Sequence, residues 1–274
     1  MSDGAAQRVR IEIVDGVADV RLNRPDKMNA IDPAMFAALV EAGEHLSMTR
    51  GLRAVVLSGE GTAFSAGLDM ASFAAMASSE GGGSMFGDLA ERTHGAANAA
   101  QHVALVWRRL PVPVIAAIQG AAFGGGLQIA LGADIRYATP DARLSVMEIK
   151  WGLVPDMAGV LLMRDLARAD VVRDVTFTGR VFSGSEAATL GFVTRVEAAP
   201  RAAALETARE IARKSPDAIR AAKRLLNIAD EEIARKILLA ESVEQKALIG
   251  SANQVEAVQA NLARRPPVFN DPEP

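Results

Sequence analysis

The chain carries the sequence QGAAFGGGLQ at residues 119–128. An apolar run at Val112–Gln119 leads into it and predicts a buried strand, and a helix is expected from Gly124 to Gly132. The first turn of a helix offers unpaired N–H groups and the positive end of the helix dipole, which suit anions and developing oxyanions. Because adjacent glycines weaken a helix, the segment points to a functional site, with close packing of helix on strand as the alternative.

Two common glycine-rich motifs do not fit this segment. A P-loop has Lys and then Ser or Thr after its final glycine, whereas Gly126 and Leu127 follow Gly125 here. The dinucleotide fingerprint Gly-x-Gly-x-x-Gly has a different spacing. Both nucleotide-binding motifs are therefore excluded.

The sequence around this segment predicts alternating strands and helices. Residues Arg8–Val14 and Val17–Leu22 alternate apolar with polar side chains around Asp15-Gly16, which predicts a tight hairpin. Asp32 is a predicted N-cap, with Pro33 at the first position of its helix. Further strands are predicted at Ala54–Leu57, Ala133–Ala138 and Arg143–Val146. This order favours an α/β core with parallel pairing.

The second half of the chain is predicted to be mainly helical from about Gly159 onward. Helical stretches are expected at Ala202–Arg213, Pro216–Ile228 and Glu231–Ala263. We therefore expect an α/β core over residues 1–200, a helical region over 201–265 and a loose tail over 266–274. The Ser- and Gly-rich segment 77–87 is either a solvated loop or a flap beside a ligand pocket.

A second glycine-bearing segment, AFSAGLDM, occupies residues 63–70. Small residues at 65–67 allow the backbone to approach a ligand closely, although a simple tight turn has the same composition. A hydrolase nucleophile elbow would have Gly in place of Ala63, and no histidine context accompanies Ser65. Ser65 is therefore not expected to be a nucleophile.

A third segment, VMEIKWGLVPD at residues 146–156, carries two carboxyl groups. Glu148 stands among apolar neighbours, where burial would favour its protonated form and prepare it for proton transfer. Asp156 follows after a Gly and a Pro that turn the chain, so both side chains are able to reach one pocket. The alternative is a surface glutamate and an N-cap aspartate.

The composition excludes several classes of function. The 274-residue chain has a formal net charge of −3, which gives no electrostatic reason to bind nucleic acid or an anionic membrane. It has no cysteine and three histidines, so disulfides, thiolate catalysis and a histidine-rich metal site are not expected. No secretory signal is visible, and no apolar run approaches the ~18 residues of a membrane span. A cytoplasmic location is expected.

Together, the three segments resemble those of the crotonase, or enoyl-CoA hydratase/isomerase, superfamily. The resemblance extends from about Val9 to Arg265. Supporting pieces are Leu22-Asn23-Arg24-Pro25, Asn29-Ala30, Ala133-Asp134-Ile135-Arg136-Tyr137, Ala187-Ala188-Thr189-Leu190-Gly191-Phe192-Val193, and Pro216 with Lys223. The resemblance implies an α/β fold built as a spiral of βαβ units, with a C-terminal helical trimerisation region. It also implies an acyl-CoA substrate, no separate cofactor, and a homotrimer or hexamer.

The resemblance also assigns roles to individual residues. The backbone N–H groups of Leu68 and Gly125 would form an oxyanion hole for the thioester oxygen. Coenzyme A contacts would come from Lys27, Ala30, Ala66, Asp69 and Met70. From their apolarity, Met76, Met85 and Phe86 are expected to line the acyl tunnel.

The acid and base positions match two branches of the superfamily in part. Glu148 matches one of the two glutamates of the hydratase branch, but the position of the other glutamate is occupied by Gln128. The amide of Gln128 is able to position water or substrate, but it is unable to exchange a proton usefully. The dienoyl-CoA isomerase branch has acids at the positions of Glu148 and Asp156, and its third acid also falls on Gln128. Double-bond isomerisation of an enoyl- or dienoyl-CoA is therefore expected. Hydration of a 2-enoyl-CoA is the alternative, and binding of acyl-CoA without turnover is the second alternative.

Overall fold

The structure is a computed structural model that describes residues 7–72, 88–227 and 231–270. Residues 73–87 lie outside these ranges, and they include Met76, Met85, Phe86 and the predicted flap. The strands are β1 Val9–Val14, β2 Val17–Leu22, β3 Ala54–Gly59, β4 Val114–Ile118, β5 Ala121–Phe123, β6 Ile135–Ala138, β7 Arg143–Ser145, β8 Phe182–Ser183 and β9 Arg195–Val196.

The main sheet has the strand order β1-β2-β3-β4-β6-β9. Strands β2, β3, β4, β6 and β9 run parallel, and β1 pairs antiparallel with β2. The connecting turn places Asp15 and Gly16 at φ 50° and 79°, which is the two-residue geometry that matches strand twist. A smaller sheet contains β5, β7 and β8. The predicted hairpin and the predicted parallel core are both confirmed.

The helices are α1 Pro33–Met48, α2 Ala99–Arg109, α3 Gly125–Leu131, α4 Gly159–Arg164, α5 Ala169–Thr178, α6 Gly184–Leu190, α7 Pro200–Ala212, α8 Pro216–Leu226, α9 Glu231–Leu248 and α10 Ala252–Leu262. Asp32 caps α1, as predicted, by accepting from the N–H of Met35 at 2.7 Å. Asn98 and Gln101 form a capping box at the start of α2. None of the helices in the described ranges is long and apolar enough to cross a bilayer.

Three features differ from the sequence predictions. The helical stretch Glu231–Ala263 is divided, because Gly250 takes φ 77° and the Ser251 side chain caps α10. The short strands β8 and β9 interrupt the region that was expected to be helical, and β9 extends the main sheet beside β6. Helix α2 was not predicted; its residues 100–107 are all buried, the polar Gln101 and His102 included.

The core packs the helices against the main sheet. Its largest fully buried side chains include Trp107 of α2 and Phe64 after β3. Lys223 of α8 is also buried, and its Nζ donates to the Val112 carbonyl at 2.8 Å and to Asp134 Oδ2 at 2.7 Å. These bonds attach the helical region to the loops that precede β4 and β6, so the two regions form one packed body.

Candidate active site

The two glycine-bearing segments meet beside the carboxyl ends of β3 and β4. Ser65 donates from its N–H to the Ala121 carbonyl at 2.9 Å, and its carbonyl accepts from the N–H of Phe123 at 3.1 Å. A Cβ on Gly126 would lie 2.7 Å from the Ser65 Cβ, so only glycine fits at this contact. The Ser65 hydroxyl donates to the Asn29 carbonyl at 2.9 Å. This structural use agrees with the prediction that Ser65 is not a nucleophile.

The N–H group of Leu68 points away from its neighbouring strand segment. Ile31 pairs with Leu68 in a parallel bridge, in which the bonds run from Ile31 N–H to the Gly67 carbonyl and from Asp69 N–H to the Ile31 carbonyl. In this pattern Ile31 uses both its N–H and its carbonyl, whereas the N–H of Leu68 points away from Ile31. Within the described residues, the Leu68 N–H has no acceptor.

The second predicted oxyanion donor lies at the start of a helix. Gly125 is the first residue of α3, where the N–H groups have no partner within the helix. Gly67 takes φ 84°, and a Cβ there would lie 2.5 Å from the Phe123 carbonyl oxygen. The close approach at Gly67 therefore brings the Leu68 and Gly125 segments to one pocket.

The pocket has a cavity volume of about 110 Å³ and opens to solvent. Its apolar wall includes Ile31, Phe36, Leu68, Met70, Leu89, Phe123, Met147, Trp151, Leu153, Met157 and Ile249. Among the described residues, the polar side chains that line it are those of Glu148, Asp156 and Gln245. Two carboxyl groups thus face an apolar space that also contains the two predicted oxyanion donors.

Glu148 projects from a short 3-10 turn, Met147–Trp151, and is 8% exposed. Burial raises the pKa of its carboxyl to about 7, although hydrogen bonds from its own N–H and from Gln128 favour the ionised form. Its Oε2 is buried and has no hydrogen-bond partner within the described part of the chain. Glu148 therefore has one oxygen held in place and one buried oxygen without a partner among the described residues.

Asp156 is 9% exposed, and burial together with the charge of Glu148 raises the pKa of its carboxyl to about 7. A hydrogen bond from the Gln245 side chain acts in the opposite direction. Glu148 thus opposes ionisation of Asp156, as one carboxylate does to a nearby one. The sequence alternative of a surface glutamate and an N-cap aspartate does not hold, because both residues are buried and Ala158 occupies the N-cap position of α4.

Gln128 lies behind Glu148 rather than in the pocket. Its Nε2 donates to Glu148 Oε1 at 2.6 Å, and its Oε1 accepts from the N–H of Met157 at 2.9 Å. The predicted role of positioning water or substrate does not match this arrangement, since both ends of the amide are already bonded to protein. Gln128 instead orients Glu148.

The residues predicted to contact coenzyme A lie on two adjacent loops. Ala66 donates from its N–H to the Met28 carbonyl at 2.8 Å, which joins these loops. Ala66 and Met70 line the pocket, and Met70 is 48% exposed. Lys27 is exposed in the 3-10 turn Pro25–Lys27.

Ala30 and Asp69 are engaged within the protein. The Ala30 carbonyl accepts from Arg24 Nη1 at 3.2 Å, and the Asp69 carboxylate accepts from the same Nη1 at 2.5 Å. A hydrogen bond from the Ala71 N–H and the Arg24 guanidinium lower the pKa of Asp69. Asp69 therefore stabilises the loop through its side chain, which leaves its backbone as the group able to contact a ligand.

A family model for enoyl-CoA hydratase/isomerase matches residues 12–272 of this chain. The chain belongs to the enoyl-CoA hydratase/isomerase family. It is 31% identical over 253 residues to the mitochondrial Delta(3,5)-Delta(2,4)-dienoyl-CoA isomerase of Mus musculus, covering 91% of this chain and 77% of that protein. It is 33% identical over 269 residues to a putative enoyl-CoA hydratase of Thermus thermophilus, covering 92% and 97%.

Solved structures confirm the crotonase fold of this enoyl-CoA hydratase/isomerase family enzyme. The enoyl-CoA hydratase/isomerase of Pseudoalteromonas atlantica superposes with a TM-score of 0.82 at 27% identity, covering 96% of this chain and all of that one. The predicted α/β crotonase fold, the family and the enzymatic character are therefore confirmed, whereas the trimerisation role of the C-terminal helices stays a prediction.

The C-terminal helices also contribute to this family site, which was not predicted. Gln245 of α9 and Ile249, directly after that helix, line the same pocket as Glu148. The predicted boundary at residue 201 thus separates two parts of one site. A signal was present in the sequence, because a Gln and a Glu at positions 245 and 241 interrupt the apolar side of α9 one turn apart.

Proposed function

We propose that this enzyme shifts double bonds in a dienoyl-CoA thioester by moving a proton between two carbons. The observation that carries the proposal is the pair of buried carboxyl groups, Glu148 and Asp156, in one apolar pocket. Burial raises the pKa of each carboxyl to about 7. Near neutral pH the pair is therefore able to hold one proton, so that one member is a base and the other an acid.

The reaction follows from the chemistry of a 3,5-dienoyl thioester. The carboxylate removes a proton from C2, and the C2 electron pair spreads over the double bonds and the thioester oxygen. The N–H groups of Leu68 and Gly125 stabilise the negative oxygen, a contribution typically worth about 10²–10³ in rate per donor. The carboxylic acid then donates its proton at C6. The product is a 2,4-dienoyl thioester of unchanged mass, and the pair again holds one proton.

The arrangement of Gln128 favours isomerisation over hydration. Addition of water to a 2-enoyl thioester is assisted by two proton-active groups beside the water. Gln128 has a neutral amide, and its two ends bind Glu148 and the Met157 N–H. The name of the mouse relative, a Delta(3,5)-Delta(2,4)-dienoyl-CoA isomerase, supports the same choice, whereas that of the Thermus relative keeps hydration as the alternative.

The proposed coenzyme A site lies at the mouth of the pocket. Ala66 and Met70 line the mouth, and the ammonium group of Lys27 is exposed on the adjoining loop. A phosphate group of coenzyme A would be attracted by this positive charge. We propose that the backbone of the 66–70 loop binds the pantetheine arm and that Lys27 contacts a phosphate.

The proposed assembly is a trimer or a dimer of trimers in the cytoplasm. Exposed apolar side chains on the C-terminal helices support an interface, with Leu239, Val243 and Leu262 exposed by 46%, 50% and 51%. Light scattering at micromolar concentration is expected to give three or six times the mass of one chain. A monomer mass would contradict this part of the proposal.

The function is tested by comparing two substrates and two variants. Wild-type protein is expected to convert a medium-chain 3,5-dienoyl-CoA much faster than it hydrates a 2-enoyl-CoA of equal length. Glu148→Gln and Asp156→Asn are each expected to reduce isomerisation by roughly two orders of magnitude or more, the scale of a positioned acid or base. Fast hydration that is indifferent to Asp156→Asn would favour the hydratase alternative. Tight binding of both thioesters without turnover would favour the second alternative, a protein that binds acyl-CoA without catalysis.

A further inference from the structure

Glu241 of α9 is a buried carboxyl group outside the pocket, at 5% exposure. Its Oε2 accepts from the N–H of Ala158 at 3.1 Å and from Gln101 Nε2 at 3.1 Å. Its Oε1 accepts from the N–H groups of Val160 at 3.0 Å and Leu161 at 3.3 Å. Four donors therefore surround one side chain that the proposed reaction does not use.

Three of these donors belong to the beginning of α4, which follows Asp156 in the chain. The N-cap of α4 is Ala158, which takes φ 64° and has no side chain able to cap the helix. Unpaired N–H groups at a buried helix end are costly, and the Glu241 oxygens accept from three of them, although burial raises the pKa of this carboxyl to about 8. Glu241 thus supplies from another helix the cap that the local sequence lacks.

Gln245 holds the other side of Asp156. Its Oε1 accepts from the N–H of Val154 at 3.0 Å, and its side chain lies close enough to Asp156 to favour the ionised form of that carboxyl. Residues 241 and 245 are one turn apart on α9, so they face the same way. The segment 154–161 is therefore held by α9 before, at and after Asp156.

Helix α9 is itself fixed by polar groups from the beginning of α2. Gln101 Nε2 donates to the Leu238 carbonyl at 2.6 Å, and Asn98 Nδ2 donates to Ser242 Oγ at 3.0 Å. Arg92 Nη2 donates to the same Ser242 Oγ at 2.9 Å. These bonds make α9 a rigid support for the segment that carries Asp156.

We propose that Glu241, assisted by Gln245, is a positioning residue for Asp156: it fixes the backbone after Asp156 and so sets the direction of that carboxyl in the pocket. The inference rests on the proposed function, in which Asp156 exchanges a proton with the substrate. Misplacement by about 1 Å costs up to roughly 10² in rate, so a support of this kind affects turnover without touching the substrate.

The test is Glu241→Gln, assayed with a medium-chain 3,5-dienoyl-CoA. A glutamine at position 241 has nearly the same size as glutamate, but its NH₂ group is a donor. It therefore cannot accept from the backbone N–H groups of α4 that one of the two glutamate oxygens accepts from. We expect kcat to fall roughly 10- to 100-fold, with KM changed by less than about threefold. Glu244→Gln, at an exposed position of the same helix, makes the same replacement of a carboxyl by an amide and is expected to leave both constants unchanged.

A double-mutant cycle separates positioning from a general loss of structure. Adding Glu241→Gln to Asp156→Asn is expected to reduce the remaining turnover by less than about twofold, because the first substitution acts through Asp156. If the two losses multiply in full, Glu241 does not act through Asp156 and the inference is wrong. If Glu241→Gln does not fold, Gln245→Met in the same cycle tests the same support, and multiplication there also contradicts it.

The same measurements distinguish this inference from the proposed function. If Asp156→Asn alone leaves turnover unchanged, the proposed function fails, and the positioning inference fails with it. If Asp156→Asn reduces turnover and Glu241→Gln matches wild type in kcat, only the positioning inference is overturned.

Discussion

Gln128 donates from its amide nitrogen to Oε1 of Glu148 at 2.6 Å, and this bond determines how Glu148 meets the pocket. The amide oxygen is fixed in turn by the N–H of Met157. One carboxyl oxygen is therefore held by a neutral donor, while Oε2 has no partner among the described residues. A donor at this position favours the charged form of Glu148 and offsets part of the effect of burial.

Gln128→Glu is expected to raise the pKa of the Glu148 site. Two carboxyl groups at hydrogen-bond distance cannot both ionise readily, so they will share a proton at neutral pH. The ionised form of Glu148, which acts as the base, is then populated only at higher pH. The pH optimum of isomerisation should therefore move upward by about one unit or more. A pH–rate profile measures this shift. The control is Gln259→Glu at an exposed position of α10, and an equal optimum in wild type and Gln128→Glu would contradict the prediction.

The pH dependence of kcat is expected to be bell-shaped, with its maximum at about pH 7. The pKa values of Glu148 and Asp156 are both raised to about 7, so the singly protonated pair is most populated there. Below this pH both groups are protonated and no base remains, whereas above it both are ionised and no acid remains. Asp156→Asn should remove one limb of the bell as well as most of the turnover. A two-limbed profile that survives in Asp156→Asn would show that another group titrates.

Glu148→Gln is expected to increase stability at alkaline pH. The pKa of Glu148 is raised in the folded state, from 4.5 to about 7, so the folded protein binds the proton more tightly than the unfolded chain does. Stability then decreases as the pH rises from about 4.5 to 7, and removal of the carboxyl should add about 1–3 kcal/mol to the free energy of unfolding at about pH 8. At about pH 5 the gain should be much smaller. Urea unfolding of variant and wild type at both pH values measures it, and a gain that does not grow with pH would contradict the prediction.

Gly67→Ala is expected to impair the oxyanion hole. The new Cβ would lie 2.5 Å from the Phe123 carbonyl oxygen and would push the Leu68 N–H away from Gly125. Loss of one donor corresponds to about 10²–10³ in kcat. Gly51→Ala is the matched control, since Gly51 also has a positive φ, of 77°, but its Cβ would meet no atom within 4 Å. Equal kcat values for the two variants would show that Gly67 has no role in placing the donor.

Much of the fold followed from local signals in the sequence. Asp15-Gly16 and Asp32-Pro33 are short-range patterns whose structures depend on a few neighbouring residues, and both formed as predicted. Strand β9 did not have such a signal. It contains two residues, and its place in the sheet depends on pairing with Tyr137 and Ala138 of β6, far away in the sequence.

Some residues of the candidate site could be predicted from the sequence, and others could not. Glu148 and Asp156 were recognised because they lie in one short segment with a distinctive order of residues. The position of Gln128 behind Glu148 depends on side-chain rotamers and on the Met157 N–H, which the sequence does not specify. Gln245 and Glu241 reach the site only after α9 folds back over it, so their roles required the tertiary structure.

Proton transfer by Glu148 and Asp156 between two carbons of an acyl-CoA is best measured by mass spectrometry in deuterium oxide. With a medium-chain 3,5-dienoyl-CoA as the substrate, we expect a 2,4-dienoyl-CoA product that carries deuterium at C6 and has gained no water. A product heavier by one water, or a substrate recovered without isomerisation or exchange at C2, would show that the two carboxyl groups do not move this proton.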